Sequence, residues 1–415
     1  MNLAIEALPP ACDVLVVGAG PAGSAAAILL ARAGLDVVLV DQHAFPRDKV
    51  CGDGLIPDAH HALRKLGVLD AVLAQARASG FVGCIGPRGG RIDVPGELAV
   101  LPRKQLDDIV CRAAVAAGAR MFAPLRFVAP VESGVEGQER VVGARLQHGD
   151  ATREIRARWV LLATGAVPQA LLAAGMSLRQ TPSGVALRGY VRNDAMVGRI
   201  TALEIVWHRA LRPGYGWIFP CRDGVFNIGV GIADSHGERS NGRFRKRELN
   251  LRQVMDDFQR VYAPAHALMR GGTLLGPMKG APLRCTLEGA RYTRPGLLVV
   301  GEAAGSTYSF TGEGIGKALE TGIHAAEAVL AAGAEADADA RVRADYEARL
   351  LALKPRFDLY QRANLVNRHP WLSDLLIWRA NKSPRLLRRM SGVLNETSNP
   401  GHLVTVRGMV RVFTE

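Results

Sequence analysis

The sequence predicts an α/β fold in which a parallel-sheet domain is interrupted by an inserted α+β domain with an antiparallel sheet and followed by a helical C-terminal region. Three observations predict it. A hydrophobic strand runs into a glycine loop and an Ala-rich helix near the start of the chain. A middle stretch, 189–233, is dense in β-branched and aromatic residues broken by turns. An apolar strand pattern then returns at 295–300, before a glycine-rich turn and a long helix over 314–330.

The first elements read as a strand over 13–17, a tight turn, a helix over 24–33 and a second strand over 36–40. Apolar runs alternating with a helix of small residues are what a buried parallel sheet requires. The turn is Gly18-Ala19-Gly20-Pro21-Ala22-Gly23, a GxGxxG pattern in its full strand–turn–helix context. Gly18 allows the turn, Gly20 lets backbone approach a pyrophosphate, and Gly23, with Ala26 and Ala27, lets the helix approach the sheet. Ala22 and its neighbours offer free N–H groups and the positive end of a helix dipole. Asp41, at the end of the next strand, is placed to accept adenosine ribose hydroxyls. This Rossmann-like signature specifies a dinucleotide and leaves FAD and NAD both open.

The inserted domain carries a hairpin turn predicted at 221–224, Cys-Arg-Asp-Gly. We therefore expect a discontinuous cofactor domain over 1–60, 100–170 and 290–345. The substrate domain takes 61–99 and 171–289, and 346–415 forms a helical extension. An Ala/Glu/Asp-rich linker at 331–340 leads into it. From Leu351 to the end, 11 Lys and Arg face 4 Asp and Glu, a net +7. Trp371, Leu372, Leu375, Leu376 and Trp378 fall at helical spacing there, ahead of Arg379, Lys382, Arg385, Arg388 and Arg389. Two readings stand: a cap helix packed on the body, or an amphipathic surface resting on lipid headgroups.

The bulk numbers bound the rest. A chain of 415 residues, 48% hydrophobic and 22% charged, suits two packed globular domains. Its net charge of +13 fits a solvated basic surface, an anionic substrate or an anionic membrane. Nucleic acid is not expected, because no basic run is interleaved with aromatics. Six cysteines without a CxxC pair give neither a zinc site nor a disulfide framework, and no metal is expected. A reducing cytoplasm follows as the expectation. No signal-peptide pattern opens the chain, and no apolar run reaches the roughly 18 residues of a membrane span. At most the protein would sit on the inner face of the membrane. Oligomeric state is not legible.

Three further stretches choose the cofactor by resemblance. Arg103-Lys104-Gln105-Leu106-Asp107 opens a helix, and Trp159 to Ala166 runs through a strand into Thr164-Gly165. Gly301-Glu302-Ala303-Ala304-Gly305 precedes Thr311-Gly312-Glu313-Gly314-Ile315. Together these resemble the motifs of p-hydroxybenzoate-hydroxylase-type flavoproteins, which implies FAD. The resemblance implies that Arg103 reaches the FAD and that Thr164 and Gly165 lie beside it. It also implies that the acidic residue of the 301–305 stretch binds the ribityl chain, and that the helix beginning at Gly314 and Ile315 faces the flavin carbonyls. A helix N-terminus there would stabilise anionic reduced flavin. The common acid at that place is Asp, whereas this chain has Glu302, one methylene longer.

Arg47-Asp48-Lys49-Val50-Cys51-Gly52-Asp53-Gly54-Leu55, with Pro213-Gly214-Tyr215-Gly216-Trp217-Ile218-Phe219-Pro220, resembles the geranylgeranyl reductase family. Phe226-Asn227-Ile228-Gly229-Val230-Gly231 is similar to the bacterial branch acting on menaquinone side chains. The resemblance implies reduction of carbon–carbon double bonds in a prenyl lipid, with Arg47, Cys51 and Gly52 near the flavin. On a strand, Tyr215, Trp217 and Phe219 share one face and wall an apolar pocket, while Gly214, Gly216 and Ile218 share the other. The glycine face would admit another backbone or the flavin edge. Reduction needs a hydride from reduced flavin and a proton, and the candidate donors are Cys51 and Tyr215. Cys51 reads either as a thiol tuned by Arg47 and Lys49 or as a small buried hydrophobe. His60 and His61 read as structural. With one GxGxxG, electrons would come from docked NAD(P)H or a carrier protein. An aromatic monooxygenase or halogenase, or a flavin dehydrogenase of secondary metabolism, is the alternative on the same scaffold. Halogenases carry a two-Trp motif ending Ile-Pro, which here reads Tyr215 to Phe219-Pro220.

Overall fold

Two sheets carry the chain, and their strands exchange several times along the sequence. The computed structural model describes residues 2–233, 250–333 and 338–398. In the first sheet, five strands run parallel in the order Leu297–Val299, Ala151–Leu162, Ala11–Val17, Val37–Val40, Arg120–Phe122. Strand alternation splits its side chains between two cores. Val14, Val16, Leu39 and Leu161 face a helical layer, while Leu15, Val17, Val38 and Val160 face the other side. The helical layer contains Pro21–Arg32, Arg103–Ala116 and Ile315–Ala332. The other face is covered by the hairpin of Arg126–Ser133 with Arg140–His148. Small residues set the helix spacing: a Cβ on Gly322 would lie 2.1 Å from the Ala22 carbonyl.

The second sheet runs in the order Thr273–Leu274, Gly184–Arg192, Val225–Ala233, Gly214–Pro220, Leu203–Val206, Arg77–Ile85, Arg91–Val100, Gly54–Leu55. It is antiparallel as expected, except that Leu203–Val206 pairs parallel with Arg77–Ile85. The turn joining the Gly214–Pro220 and Val225–Ala233 strands holds Asp223 at φ 55° and Gly224 at φ 67°. Two left-handed residues match the twist of a hairpin, which is why Asp-Gly suits it.

The helices Pro57–Lys65 and Leu69–Gln75 send Leu63, Leu69 and Val72 into the first core, although the sequence division placed 61–99 with the second sheet. Their amphipathic faces are buried against the helical layer instead. The C-terminal region also differs from the expected break at 346. The helix Ala338–Arg368 runs unbroken through it, burying Tyr346 and Leu350 in the first core. Trp371–Ala380 and Pro384–Leu394 then pack Ile377, Ala380 and Leu386 on Ile92 and Val94 of the second sheet. This segment is a cap, yet Trp371 and Trp378 stay 60% and 52% exposed, with the Lys382 ammonium 4.6 Å from the Trp378 ring centre. The end of the basic tail, 399–415, lies outside the described residues. No described helix is long and apolar enough to cross a membrane.

Candidate active site

A cavity of about 900 Å³ opens between the two sheets, at the carboxyl ends of the parallel strands. It is lined by every site residue singled out above except Gly23. Gly23 acts one step behind, where a Cβ would strike the Gly18 carbonyl at 1.9 Å and the Ala163 side chain at 3.1 Å. Gly18 itself sits at φ +106°, so the turn that presents the helix N-terminus needs glycine there.

Facing that N-terminus is a balanced set of ions. Arg47 bonds Asp41 at 3.2 Å and Asp107 at 2.9 Å, while Arg103 forks onto Asp107 at 2.6 and 2.8 Å. A Cβ on Gly20 would lie 3.5 Å from the Arg47 guanidinium and 3.9 Å from that of Arg103. Two fixed cations and a helix N-terminus thus converge on one glycine, a cradle suited to a pyrophosphate. Asp41 was expected to meet ribose hydroxyls. Here its oxygens accept from the Ala19 and His43 N–H groups and from Arg47, so a ribose would have to share it. Thr164 Oγ1 is buried in the lining without a hydrogen-bond partner. An orphaned donor there fits a polar ligand running on from the glycine loop. Glu302 lines the same path and accepts from Thr307 Oγ1 at 3.4 Å. The residues present therefore fit FAD.

The far wall is the aromatic strand. Tyr215, Trp217 and Phe219 face the cavity, as the alternation requires. The glycine face does not meet the flavin region. Gly216 packs under Phe258 of the helix Leu251–Val261, where a Cβ would lie 2.5 Å from the ring. Gly214 does meet backbone, with a Cβ 1.8 Å from the Gly231 carbonyl. Gly229, on the neighbouring strand, makes the room for the Trp217 ring.

A hydrogen-bond chain ties this wall to the Cys51 loop. Trp217 Nε1 donates to Asn227 at 2.9 Å, and Asn227 donates to the Cys51 carbonyl at 2.8 Å and to Asp53 at 2.7 Å. Asp53 also accepts from Tyr190 Oη at 2.5 Å and from the Arg103 N–H at 3.2 Å. Burial pushes the Asp53 carboxyl up to about 6, against the opposing pull of Tyr190, Arg188 and Asn227. Asp53 and Asn227 were not picked out from the sequence as site residues. The one local signal was Asp53 between two glycines, where it adopts φ 65°.

Cys51 lines the cavity, but Arg47 does not tune it, because that guanidinium is turned onto Asp41 and Asp107. Burial dominates and pushes the thiol above its usual range, with only partial relief from Arg103. The thiol is thus a held acid, the reverse of an activated thiolate. Burial also keeps Tyr215 neutral, and its hydroxyl donates to the Thr311 carbonyl. His60 is buried in the helix Pro57–Lys65 and His61 is exposed, and neither lines the cavity. Glu313 does line it, and sequence reading missed its role. Its signal was its place between the two glycines of the 311–315 motif.

The comparisons with known proteins agree with this geometry. Residues 11–250 match the family model described as FAD binding domain. The chain is 35% identical to a menaquinone reductase of Mycolicibacterium smegmatis over 335 residues, 77% of each chain. It is 30% identical to a digeranylgeranylglycerophospholipid reductase of Methanopyrus kandleri, over 81% of this chain and 85% of that one. A geranylgeranyl bacteriochlorophyll reductase-like protein of Thermoplasma acidophilum shares the fold at TM-score 0.70 and 23% identity, covering 98% of this chain and 96% of that one. With an FAD-binding domain over more than half its length and curated reductases as relatives, the chain belongs to the geranylgeranyl reductase family of FAD-dependent oxidoreductases.

Proposed function

We propose that this protein saturates a carbon–carbon double bond in a prenyl lipid, a geranylgeranyl chain or a menaquinone side chain. One observation carries the reading: the aromatic wall of Tyr215, Trp217 and Phe219 faces the dinucleotide cradle across one cavity, with the Cys51 loop between. Gly52 and Gly54 lie against Phe219, where a Cβ on either would be 3.2 Å from the ring. The wall is therefore fixed to the loop. It offers apolar surface to a chain with no polar group to grip.

Bound and reduced, FAD supplies a hydride. The cradle residues Gly20, Arg47 and Arg103 would hold its pyrophosphate, and Thr164, Glu302 and the 312–315 turn would line the rest of its path. The protein's own part is to exclude water, align the double bond along the aromatic wall and keep a proton ready. Cys51 and Tyr215 both stay protonated at neutral pH, which suits a proton donor. Tyr215 spends its proton on Thr311, which favours Cys51 as the donor. Electrons arrive from NAD(P)H docked at the cavity mouth, or from a carrier protein. The exposed Trp371 and Trp378, with Lys382 beside them, rest on an anionic bilayer and bring the site to its lipid.

Incubating the reduced holoenzyme with geranylgeranyl compounds and with menaquinone tests the reading by mass. A gain of two hydrogens is expected. Turnover of small aromatics with oxygen uptake, and no gain on any prenyl compound, would overturn it. Sedimentation with anionic but not neutral vesicles, weakened when both tryptophans are replaced by serine, tests the membrane contact.

A further inference from the structure

Behind the cavity wall lies a buried ion cluster that the reading above leaves unused. Glu313 faces the cavity from the turn into the helix Ile315–Ala332. Its loop is pinned to the aromatic wall, because Tyr215 Oη donates to the Thr311 carbonyl and a Cβ on Gly312 would lie 2.7 Å from that oxygen. One turn into the helix, Lys317 is 3% exposed. It pairs with Glu320 at 2.7 Å, with Glu396 at 3.0 Å and with Asp58 at 3.7 Å. Asp58 comes from the helix Pro57–Lys65, which crosses so near that a Cβ on Gly316 would be 2.3 Å from its carboxyl. Arg356 reaches Glu396 at 3.0 Å from the helix Ala338–Arg368. Tyr308 and Tyr360 stack at 4.0 Å between centroids beside these groups, and His324 lies 3.8 Å from Glu320. Burial holds both tyrosines neutral and lowers the His324 pKa, so none of the three adds a cation at neutral pH.

Three carboxylates, of Asp58, Glu320 and Glu396, thus surround Lys317, with Arg356 on the outer side of Glu396, and Glu313 stands four residues before Lys317 on the cavity side. Full ionisation would leave unpaired negative charge around the buried Lys317 and Asp58, and protonation of the inner acids is the cheaper solution. Glu313, which lines the cavity, and the buried Asp58 take it up. Burial, with Asp58 adding repulsion, pushes Glu313 up to about 8. Burial also pushes Asp58 up to about 7, with Lys317 opposing. Asp58 Oδ1 has no hydrogen-bond partner, as suits a group that exchanges a proton with its surroundings.

We propose that Glu313 is the proton store of this site, and that the Asp58–Lys317–Glu396 cluster is the route that refills it. The proposal rests on the prenyl-reduction reading. In that reaction one π bond is lost and two C–H bonds form. The hydride comes from the flavin, already reduced by an external two-electron donor such as a nicotinamide. The proton comes from the cavity wall, and Glu313 replaces it, passing from acid to carboxylate. Glu313 then regains a proton through Asp58.

The test uses FAD-loaded enzyme, wild type, Glu313→Gln and Glu313→Asp, matched for FAD content and melting. Infrared spectra without substrate should show a protonated carboxyl band in the wild type that titrates away with a midpoint near 8. Glu313→Gln should lack that band, and Glu313→Asp should keep one at a shifted midpoint. Prenyl reduction by Glu313→Gln should slow about tenfold at neutral pH with KM unchanged, and lose the decline that the wild type shows on the alkaline side. Glu313→Asp should recover part of the rate. A component with a midpoint near 8 retained in Glu313→Gln, over and above the earlier-titrating Asp58, or an unaltered pH profile, overturns the proposal. The two readings fail separately. No prenyl turnover in a wild type that shows the Glu313 band counts against the substrate and for the stored proton.

Discussion

Two buried ion networks flank the same cavity, and they are built on opposite principles. At the dinucleotide cradle, Asp41, Arg47, Arg103 and Asp107 alternate acid and base, each at 3.2 Å or less from its partner. Around the start of the helix Ile315–Ala332, Asp58, Glu313, Glu320 and Glu396 outnumber Lys317 and Arg356. The first network resolves no competition between charges, so it presents fixed guanidinium donors to a ligand that is itself anionic. The second cannot ionise fully, so it trades protons. One cavity thereby gains a rigid electrostatic grip at one end and a titrating reserve at the other. A buried ion pair is weak evidence for stability, and its balance says more about its use.

Substitutions should separate the two networks by size and by pH. The largest effect is expected for Lys317→Met, which leaves three acids around an uncompensated space. Denaturant unfolding should show a loss of about 3–5 kcal/mol, smaller in acid, where those carboxyls are protonated. Next comes the wild type's own pH dependence. Asp58 and Glu313 carry raised pKa values of about 7 and about 8 in the folded state. Both exceed their unfolded values of about 4. The native state therefore binds more protons over that window, and these groups make stability fall as pH rises from about 5 to about 8, by at most ~1.4 kcal/mol per pH unit for each. Glu313→Gln should flatten that slope, and an unchanged slope would place its proton elsewhere.

The cradle should respond differently. Arg47→Ala should weaken FAD binding by roughly tenfold or more, seen by titrating the apoprotein, through the loss of a charge-assisted donor. Because Arg103 still holds Asp107, its unfolding curve should move less than that of Lys317→Met. The smallest effect is expected for Glu302→Asp. Restoring the commoner acid should change FAD affinity by less than about threefold, since Glu302 already lines the path and only one methylene is at stake.

Much of the site was legible in the chain because its signals are local. Gly18 is read from the turn it must make, and the shared, cavity-lining face of Tyr215, Trp217 and Phe219 from strand alternation. Asp223-Gly224 is read from a hairpin's need for two left-handed residues. Where local reading failed, the reason was a distant neighbour. One of two readings of Cys51 had Arg47, four residues away, tune its thiol, but Asp41 and Asp107 draw that guanidinium aside. The Gly216 face was left open to a backbone or the flavin, yet Phe258 fills it. Asp53 and Asn227 stand inside stretches picked out for other reasons, and only the crossing of the second sheet over the Cys51 loop joins them.

By itself the sequence determined the parallel and antiparallel layers, the dinucleotide loop and the shared face of Tyr215, Trp217 and Phe219, because periodicity and turn residues act through backbone geometry over a few residues. The choice of FAD came from resemblance. The proton-holding cluster was decided by tertiary structure alone. Asp58, the 313–317 stretch with Glu313 and Lys317, and Glu396 come from three separate segments, and nothing local to any of them announces the others. Their charges compete only after packing removes the water that would otherwise screen them.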